Sequence, residues 1–369
     1  MVYFFDKRII SHFNFELILL ILPLAFLSYH LVHETSEMLA HKQLIYFSLS
    51  SIAFIVVFIL PFRSLKSFIP FIYWFGIFLL LLVEFFGITK LGATRWLQIP
   101  FTSMTIQPSE LFKPAFLLMI GFLISNKPPP KEGYNLKDFA FLSFYILLPF
   151  ILIAKEPDLG TALVLLLVGY GILFLVGINW KIVATIVLIL GISSPIIYTY
   201  LIKDYQKKRI HDFISEEPSY HVKQSLIAIG SGGLAGKDKE EATQTQLKFL
   251  PIATSDFIFA SFVERYGFIG SIGLIFLYLL LIIHLLLLHH HFKKDYMISV
   301  FASGLALLLF LNMSINILMV IGFAPVVGLP LPLFSYGGSS FINFIVLFAI
   351  LENLIAFRFM DGYSFNRKL

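Results

Sequence analysis

Long runs of Leu, Ile, Phe and Val, separated by short polar connections, make up most of this chain. A helix that spans a bilayer needs about 20 predominantly apolar residues. By that measure the pattern predicts an all-α polytopic membrane protein with ten transmembrane helices, at residues 15–33, 44–61, 68–87, 108–125, 139–154, 160–178, 182–202, 257–288, 297–322 and 339–357. We expect one transmembrane domain that covers residues 1–369.

One long polar stretch, at about residues 203–256, interrupts this pattern between the seventh and eighth helices. Because irregular backbone cannot face lipid, the stretch must lie in water at one face of the membrane. It ends at Asp256, directly before the apolar run that begins at Phe257. A carboxylate at such a junction is partly desolvated, which raises its pKa and its basicity. Asp256 is therefore our candidate for chemistry, and the alternative is an N-cap of the following helix.

The distribution of Lys and Arg among the short connections predicts the orientation of the chain. If the N-terminus is cytoplasmic, the short outer connections contain only Lys42, Lys90, Arg95 and Lys155, and the other cations of the short connections face the cytoplasm. Short cytoplasmic loops of membrane proteins are enriched in Lys and Arg, whereas the charges of a long loop do not determine its side of the membrane. We therefore predict cytoplasmic N- and C-termini and an extracytoplasmic stretch at 203–256.

Composition supports the membrane class and narrows the range of partners. The chain is 58% apolar and 13% charged, with a mean hydropathy of +0.88, whereas a soluble domain carries about 25% charged residues. It has no cysteine, which excludes disulfides, thiol chemistry and cysteine-bound metals. Its net charge of +5 is scattered rather than gathered in a stripe, so no nucleic-acid partner is expected. The first apolar run lacks a small-residue cleavage site, so we interpret it as a retained helix.

Two ionisable clusters lie at predicted outer helix ends. Glu110 and Lys113 are three residues apart, so they share a helix face and can pair. Asp158 lies in the first turn of the sixth predicted helix, where the helix dipole favours a carboxylate. One alternative is that Glu110 and Lys113 form a structural ion pair and Asp158 is a charge in the first turn of its helix. The other is that all three residues form a network that binds an anionic substrate through Lys113.

Two glycine-rich stretches remain open to a functional or a structural interpretation. The first includes Gly232 and Gly233, whose exposed N–H groups could form an anion-binding nest or a plain turn. The second runs from Pro325 to Ser340 and is too rich in proline and glycine to be helical throughout. From physics alone it is a connecting loop, with Ser339 or Ser340 capping the tenth helix.

Five motifs occur along the chain in the order RWLQIPFTSMTIQPSELFK, KEPDLGTA, QSLIAIGSGGLAGK, FLPIATSDFIFASFVERYGFIG and APVVGLPLPLFSYGGSS. Together they resemble the SEDS family (shape, elongation, division, sporulation), and the short termini favour its RodA branch over its FtsW branch. The chain departs from the family pattern at Ile252 and Thr254, where Glu and His are usual, and at His221, where Gln is usual.

The resemblance implies a peptidoglycan glycosyltransferase that polymerises lipid II into a growing glycan strand at the outer face of the bacterial cytoplasmic membrane. It also implies membrane lipid around the chain and a class B penicillin-binding protein as partner. The essential acid of the family falls on Asp256, and Glu110, Lys113 and Asp158 match cavity-lining positions. Further substrate-binding candidates are Arg95, Gln107, Ser109, Arg209, Gln224, Gly232, Gly233, Glu264, Ser335, Gly337, Gly338, Ser339 and Ser340.

The hypothesis that follows makes Asp256 a general base in an inverting displacement of undecaprenyl diphosphate. Lys113, Arg95 and Arg209 are candidates for compensating the charge of the diphosphate, with a divalent cation such as Mg²⁺ or Mn²⁺ as a further candidate and no organic cofactor. Two alternatives share the same sequence features. One is a flippase or transporter of the lipid-linked precursor, and the other is a non-catalytic scaffold for a cell-wall synthase.

Overall fold

The apolar runs form long helices in the computed structural model, which describes residues 7–60, 62–63, 66–90, 93–98, 105–185, 188, 192, 204–215, 219–247 and 249–358. In chain order the helices are α1 (Lys7–His12), α2 (Phe15–Thr35), α3 (Glu37–Ile59), α4 (Ile69–Phe86), α5 (Pro108–Asn126), α6 (Leu136–Lys155), α7 (Leu159–Val176), α8 (Asp204–Ile214), α9 (Tyr220–Gly232), α10 (Thr243–Gln246), α11 (Ile258–His291), α12 (Tyr296–Val320) and α13 (Gly338–Ala356). Short 3₁₀ helices lie at Lys66–Phe68 and Lys239–Glu241.

Nine of these helices, within the described ranges, are long and apolar enough to cross a membrane. They are α2 to α7 and α11 to α13, and they correspond to nine of the ten predicted spans. Most of the predicted span at 182–202 lies outside the described residues, although residues 180–185, 188 and 192 are helical. The predicted class, an all-α polytopic membrane protein, is therefore confirmed.

The start of α3 differs from the prediction by seven residues. Ser36 alone separates α2 from α3, so α3 begins at Glu37 rather than at residue 44. Hydropathy missed the first two turns because His41 and Lys42 are polar, yet both side chains are exposed on the helix surface. A glutamate in the first turn also suits the helix dipole.

The centre of the bundle is α12, which packs against α5, α7, α11 and α13. Small residues allow these helices to approach closely, as is usual where lipid supplies no hydrophobic drive for association. A Cβ on Gly304 of α12 would meet Leu117 of α5 and Ile172 of α7, and one on Gly121 would lie 3.1 Å from the sulfur of Met297. By contrast, α3 lies at the periphery, where most of its surface faces outward.

A small antiparallel sheet, which the sequence analysis did not predict, links α4 to α5. Its strands are β1 (Ile88–Lys90), β2 (Ala93–Gln98) and β3 (Thr105–Ile106), in the order β1-β2-β3. Since β3 is followed directly by Gln107 and α5, the sheet places β2 beside the start of α5. The sheet therefore brings Arg95 of β2 to the end of the bundle where α5 begins.

The polar stretch before α11 is largely helical, with α8, α9, the second 3₁₀ helix and α10 in it. It is anchored to the bundle through α9, where Ser225 Oγ donates to the carbonyl of Val320 at 2.7 Å. Beyond this stretch α11 is broken at Gly267, whose φ of 64° and ψ of −166° are not helical. The N–H of Phe268, which follows the break, donates a hydrogen bond to the carbonyl of Gly233 in the polar stretch at 2.9 Å.

Candidate functional site

Asp256 lies just before α11, at the end of the bundle where α7 begins. Its backbone carbonyl accepts a hydrogen bond from Asn316 Nδ2 at 2.8 Å, and the same nitrogen donates to the carbonyl of Leu329 at 2.7 Å. Its side chain is no helix cap, because the N-cap residue of α11 is Phe257 and makes no capping bond through its side chain. A Cβ on Gly328 would lie 3.6 Å from Asp256 Oδ2. The loop after α12 therefore passes alongside the carboxylate.

That loop also fixes the two residues that precede Asp256. Ser335 Oγ donates to the carbonyl of Ser255 at 2.7 Å, and the N–H of Tyr336 donates to the carbonyl of Thr254 at 2.8 Å. Ser335 Oγ in turn accepts from the N–H of Leu331 at 2.8 Å. The predicted site residue Ser335 thus holds the backbone beside Asp256, which positions the carboxylate without contacting it.

Arg95 of β2 links the candidate acids electrostatically. Its Nη1 lies 3.3 Å from Asp158 Oδ1, and its charge also acts on Asp256 and Glu156. Burial raises the pKa of Asp256 above its ordinary value, and Arg95 and a hydrogen bond from Ser255 oppose that rise in part. The carboxyl of Asp256 is therefore a stronger base than an exposed aspartate.

Asp158 is the N-cap residue of α7 and is almost completely buried. Its Oδ2 accepts from Gln107 Nε2 at 2.9 Å and from Ser109 Oγ at 3.3 Å, and its Oδ1 accepts from the N–H of Thr161 at 3.5 Å. These donors and Arg95 satisfy the carboxylate. Asp158 therefore lies at the helix start, as predicted, and Gln107 and Ser109, which we had selected as separate candidates, are its hydrogen-bond partners.

Lys113 pairs with Glu110 rather than with Asp158. Its Nζ lies 2.5 Å from Glu110 Oε1, and it also lies 5.8 Å from the ring centroid of Phe344 on α13. Both charged side chains are buried, and Glu110 Oε2 has no hydrogen-bond partner within the described residues. The predicted three-residue network is thus two adjacent pairs, one on α5 and one between β2 and the start of α7.

Glu156 is a buried carboxyl at the site that the sequence analysis did not select. Neither of its oxygens has a hydrogen-bond partner in the described part of the chain, and it is 5% exposed. Burial raises its pKa to about 9, Asp158 and Glu84 raise it further, and Arg95 opposes the rise. The sequence signal for Glu156 was its position two residues before Asp158, but no local feature of the sequence indicates that its side chain is buried.

Replacing Glu156 by glutamine is expected to stabilise the protein at neutral pH. The unfolded carboxyl ionises near 4.5 and the folded one near 9, so the stability contributed by Glu156 is lost as the pH rises through that interval. Glutamine does not ionise and escapes this loss, which amounts to about 3 kcal/mol at pH 7. In thermal unfolding of the purified proteins, the melting temperature of Glu156→Gln should exceed that of the wild-type protein by a difference that widens from pH 5 to pH 8.

The control for this exchange is Glu132→Gln, at an exposed position on the connection before α6. Its melting temperature should follow that of the wild-type protein at both pH values. If the difference in melting temperature between Glu156→Gln and the wild-type protein stayed constant with pH, Glu156 would not be a buried carboxyl that is protonated at neutral pH.

The glycines of the QSLIAIGSGGLAGK stretch pack the polar insert onto α11. A Cβ on Gly232 would overlap the carbonyl of Val263, and one on Gly236 would overlap the carbonyl of Arg265. Gly233 has a φ of 55° and its carbonyl accepts from Phe268. This arrangement corresponds to the plain-turn interpretation, since backbone of the same chain occupies the space beside Gly232 and Gly236.

Glu264 has a structural environment of its own. Its carboxylate accepts from the N–H of Gln244 at 2.9 Å, from the N–H of Thr245 at 3.0 Å and from Thr245 Oγ1 at 2.6 Å. It is fully buried. The acid therefore holds the short helix α10 against α11, which is a different task from the substrate binding that we had predicted.

The remaining candidates lie around two loops. Gln224 is half-buried on α9, and Arg209 on α8 lines a cavity beside the start of α9. Near the start of α13, Ser339 is exposed, and Gly337, Gly338 and Ser340 are partly exposed. A Cβ on Gly338 would lie 2.6 Å from the ring of Tyr46 on α3, so this position requires glycine for packing.

Within the ranges that the structure describes, no group of three or more His, Asp or Glu side chains is placed to ligate a resident metal ion. The carboxylate of Asp158, the best-placed buried acid, is already satisfied by Arg95, Gln107, Ser109 and Thr161. Positive charge at the site is supplied by Arg95 and Lys113.

Comparison with known proteins identifies relatives over most of the chain. A family model described as cell cycle protein, FTSW_RODA_SPOVE, matches residues 6–359. The peptidoglycan glycosyltransferase MrdB of Helicobacter pylori strain J99 is 53% identical over 357 residues, which cover 97% of this chain and 93% of the relative. MrdB of Escherichia coli strain K12 is 38% identical over 310 residues, covering 83% of this chain and 82% of the relative.

Two solved structures share the fold. The rod shape determining protein RodA of Thermus thermophilus is 25% identical, with a TM-score of 0.70 over 94% of this chain and 98% of that chain. A chain solved for the structural coordination of polymerization and crosslinking by a peptidoglycan synthase complex has a TM-score of 0.80 at 24% identity, over 95% of this chain and 99% of that chain. The second likeness shows the fold alone.

Proposed function

Because this chain belongs to the FtsW/RodA/SpoVE family of cell cycle proteins, we propose that it is a peptidoglycan glycosyltransferase that polymerises lipid II into β-1,4-linked glycan. The observation that carries the proposal is the position of Asp256, a partly buried carboxyl of raised pKa beside Arg95. The identity to curated peptidoglycan glycosyltransferases supports it over almost the whole chain. The active site faces the extracytoplasmic side, with both termini in the cytoplasm.

In the proposed reaction Asp256 takes the proton of a sugar 4-hydroxyl as that oxygen attacks the anomeric carbon of the second sugar. The new C–O bond forms opposite the breaking bond to the lipid diphosphate, which leaves with the bonding electrons, so an α-linked donor gives a β-linked product. A positioned base contributes typically ~10²–10⁴-fold to such a step. The raised pKa brings the carboxylate nearer to the basicity that this transfer requires at neutral pH.

Two cations have separate roles in this mechanism. Arg95 is paired with Asp158 and acts on Asp256, so it keeps the catalytic carboxylate ionised more than burial alone would allow. Lys113 is the candidate for the diphosphate, since within the described residues its buried ammonium pairs with one carboxylate oxygen, Glu110 Oε1, and lies over the face of Phe344. No step is routed through a metal ion.

An apolar groove of about 330 Å³ between α2, α3 and α13 suits the lipid tail of a substrate that arrives laterally from the bilayer. Its lining includes Ile18 and Leu22 of α2, Phe54 of α3 and Ile345 of α13. The start of α13, with Gly338 packed on α3, directly follows the loop that holds Ser255. A prenyl chain in the groove would thus lead its diphosphate towards the site.

Replacing Lys113 by methionine is expected to destabilise the protein by about 3–5 kcal/mol, because it leaves Glu110 buried and unpaired. The double variant Lys113→Met/Glu110→Gln removes both charges and should recover the wild-type melting temperature. If Lys113 binds the diphosphate, the double variant folds but polymerises lipid II poorly. Full polymerisation by a folded double variant would remove Lys113 from substrate binding.

The function is tested with the purified chain in lipid vesicles that contain lipid II, with and without a class B penicillin-binding protein, our proposed partner. Glycan polymer detected on a gel supports the proposed glycosyltransferase activity. Movement of labelled lipid II between leaflets without glycan identifies a flippase, and neither product in the presence of the partner identifies a scaffold. A parallel sample of the Asp256→Asn protein shows whether any glycan depends on the proposed base.

A further inference from the structure

A second cavity, of about 210 Å³, lies between α8, the start of α9 and the segment that follows α12. One of its walls is His221, whose ring stacks on that of Phe257 with centroids 6.0 Å apart and planes inclined by 20°. Phe257 directly follows Asp256, and the segment after α12 leads into the loop that holds Asp256. The cavity is therefore connected to the segment that carries Asp256 through the contact between His221 and Phe257.

The lining offers hydrogen-bond donors and acceptors of balanced charge. Arg209 and Asp212 both line the cavity and are three residues apart on α8, so they share a helix face. A phosphate would be attracted by the first and repelled by the second, whereas a neutral polyhydroxyl ligand can use both. Ser219 and His221 add further polar groups.

Two more features favour a sugar ring. His221 lines the cavity, and because its Nδ1 has almost no accessible surface, Nε2 is the ring nitrogen that can reach a ligand there. Phe213 supplies an apolar ring at the same cavity, against which the C–H face of a pyranose can pack. The volume is below the roughly 300–1,000 Å³ of clefts that hold drug-sized ligands, so it suits one ring rather than the entire precursor.

We propose that this cavity is a carbohydrate subsite that holds one pyranose ring of the glycan substrate beside Asp256, with Arg209, Asp212 and His221 as its hydrogen-bonding residues. The inference rests on the proposed function and adds a binding position to it. His221, with one face on Phe257 and one edge on the cavity, couples the subsite to the segment that carries Asp256.

The first test is binding of a lipid-free N-acetylglucosaminyl–N-acetylmuramic acid disaccharide to the purified full chain, measured by saturation-transfer NMR. Asp212→Ala and His221→Ala should each weaken binding about tenfold or more, because each leaves a ligand hydroxyl without its partner. His221→Gln, which keeps a donor and an acceptor, should bind within about threefold of the wild-type protein. The matched control is His211→Ala, at an exposed position on α8 that does not line the cavity.

Absence of disaccharide binding by the wild-type protein overturns the subsite, and so does equal binding by the wild-type, Asp212→Ala and His221→Ala proteins. Inorganic diphosphate that displaces the disaccharide would identify an anion site and overturn it as well. Thermal unfolding of each variant verifies that it is folded, and the milder Asp212→Asn and His221→Gln exchanges replace any variant that is not.

The second test separates failure of the subsite from failure of the proposed function. Asp256→Asn should bind the disaccharide like the wild-type protein while making glycan ~10²–10⁴-fold more slowly. If the wild-type protein polymerises lipid II and the subsite variants do so with unchanged KM and glycan length, the function stands and the subsite is wrong. If the wild-type protein binds the disaccharide in the Asp212-dependent manner but makes no glycan, the subsite stands and the function is wrong.

Discussion

Replacing Asp256 by asparagine is expected to lower the rate of lipid II polymerisation by ~10²–10⁴-fold. Asparagine keeps the size of the side chain and cannot accept the proton of the attacking hydroxyl. The backbone contacts that hold this segment come from Asn316, Ser335 and Tyr336 and do not use the carboxylate. The variant should therefore fold and retain its affinity for lipid II, and single-turnover glycan synthesis measures the loss.

The stability of the Asp256→Asn protein should change in the opposite direction to its activity. Burial raises the pKa of Asp256, so an ionised Asp256 costs more in the folded chain than in the unfolded chain. The stability that its protonated form contributes is present below the ordinary pKa and is lost as the pH rises through the raised folded value. Asp256→Asn removes this loss, so its melting temperature at pH 7 should equal or exceed that of the wild-type protein.

The control is Glu240→Gln, an exposed acid in the same polar insert, which should polymerise lipid II at the wild-type rate. Wild-type activity itself should fall as the pH is lowered through the raised pKa of Asp256. A folded Asp256→Asn protein that makes glycan at the wild-type rate would contradict a base at this position.

Features with a local signal were predictable from the sequence. The span of α5 and the position of Asp256 before α11 follow from apolar run length and from the proline at the start of α5. The pair of Glu110 and Lys113 was also predictable, because residues three apart share a helix face. These predictions needed only hydropathy, helix-start signals and the positions of a few charges.

The pairings between distant segments were not predictable, because no local rule determines them. Which cation meets Asp158 depends on a β-hairpin that brings Arg95 to it. The alternative of a network between Asp158 and Lys113 was therefore wrong, whereas the alternative of a Glu110–Lys113 pair was right. Glu156 looked like an ordinary loop acid until the fold buried it. Glu264 matched a motif of a candidate site, yet its three donors come from α10, a helix of four residues without a sequence signal of its own.

The break in α11 leads to a second large expected effect, this time on stability. Gly267 adopts φ 64° and ψ −166°, a region that is essentially restricted to glycine and costs other residues about 1–3 kcal/mol. A Cβ there would also lie 2.5 Å from the carbonyl oxygen of Leu234, at the turn whose Gly233 carbonyl pairs with the broken helix. Gly267→Ala is therefore expected to lower the free energy of unfolding by about 3 kcal/mol or more.

The same exchange at Gly273, six residues along α11, is the matched control, since its Cβ would meet open space and its backbone is helical. Gly273→Ala should leave the melting temperature unchanged or raise it, because alanine favours the helix. Gly267→Ala should also loosen the turn at Leu234, so limited proteolysis ought to cleave the insert between α9 and α10 faster than in the control. Equal melting temperatures and equal cleavage rates for the two variants would show that α11 does not require its break, because then the contact between Gly267 and the insert contributes nothing to the fold.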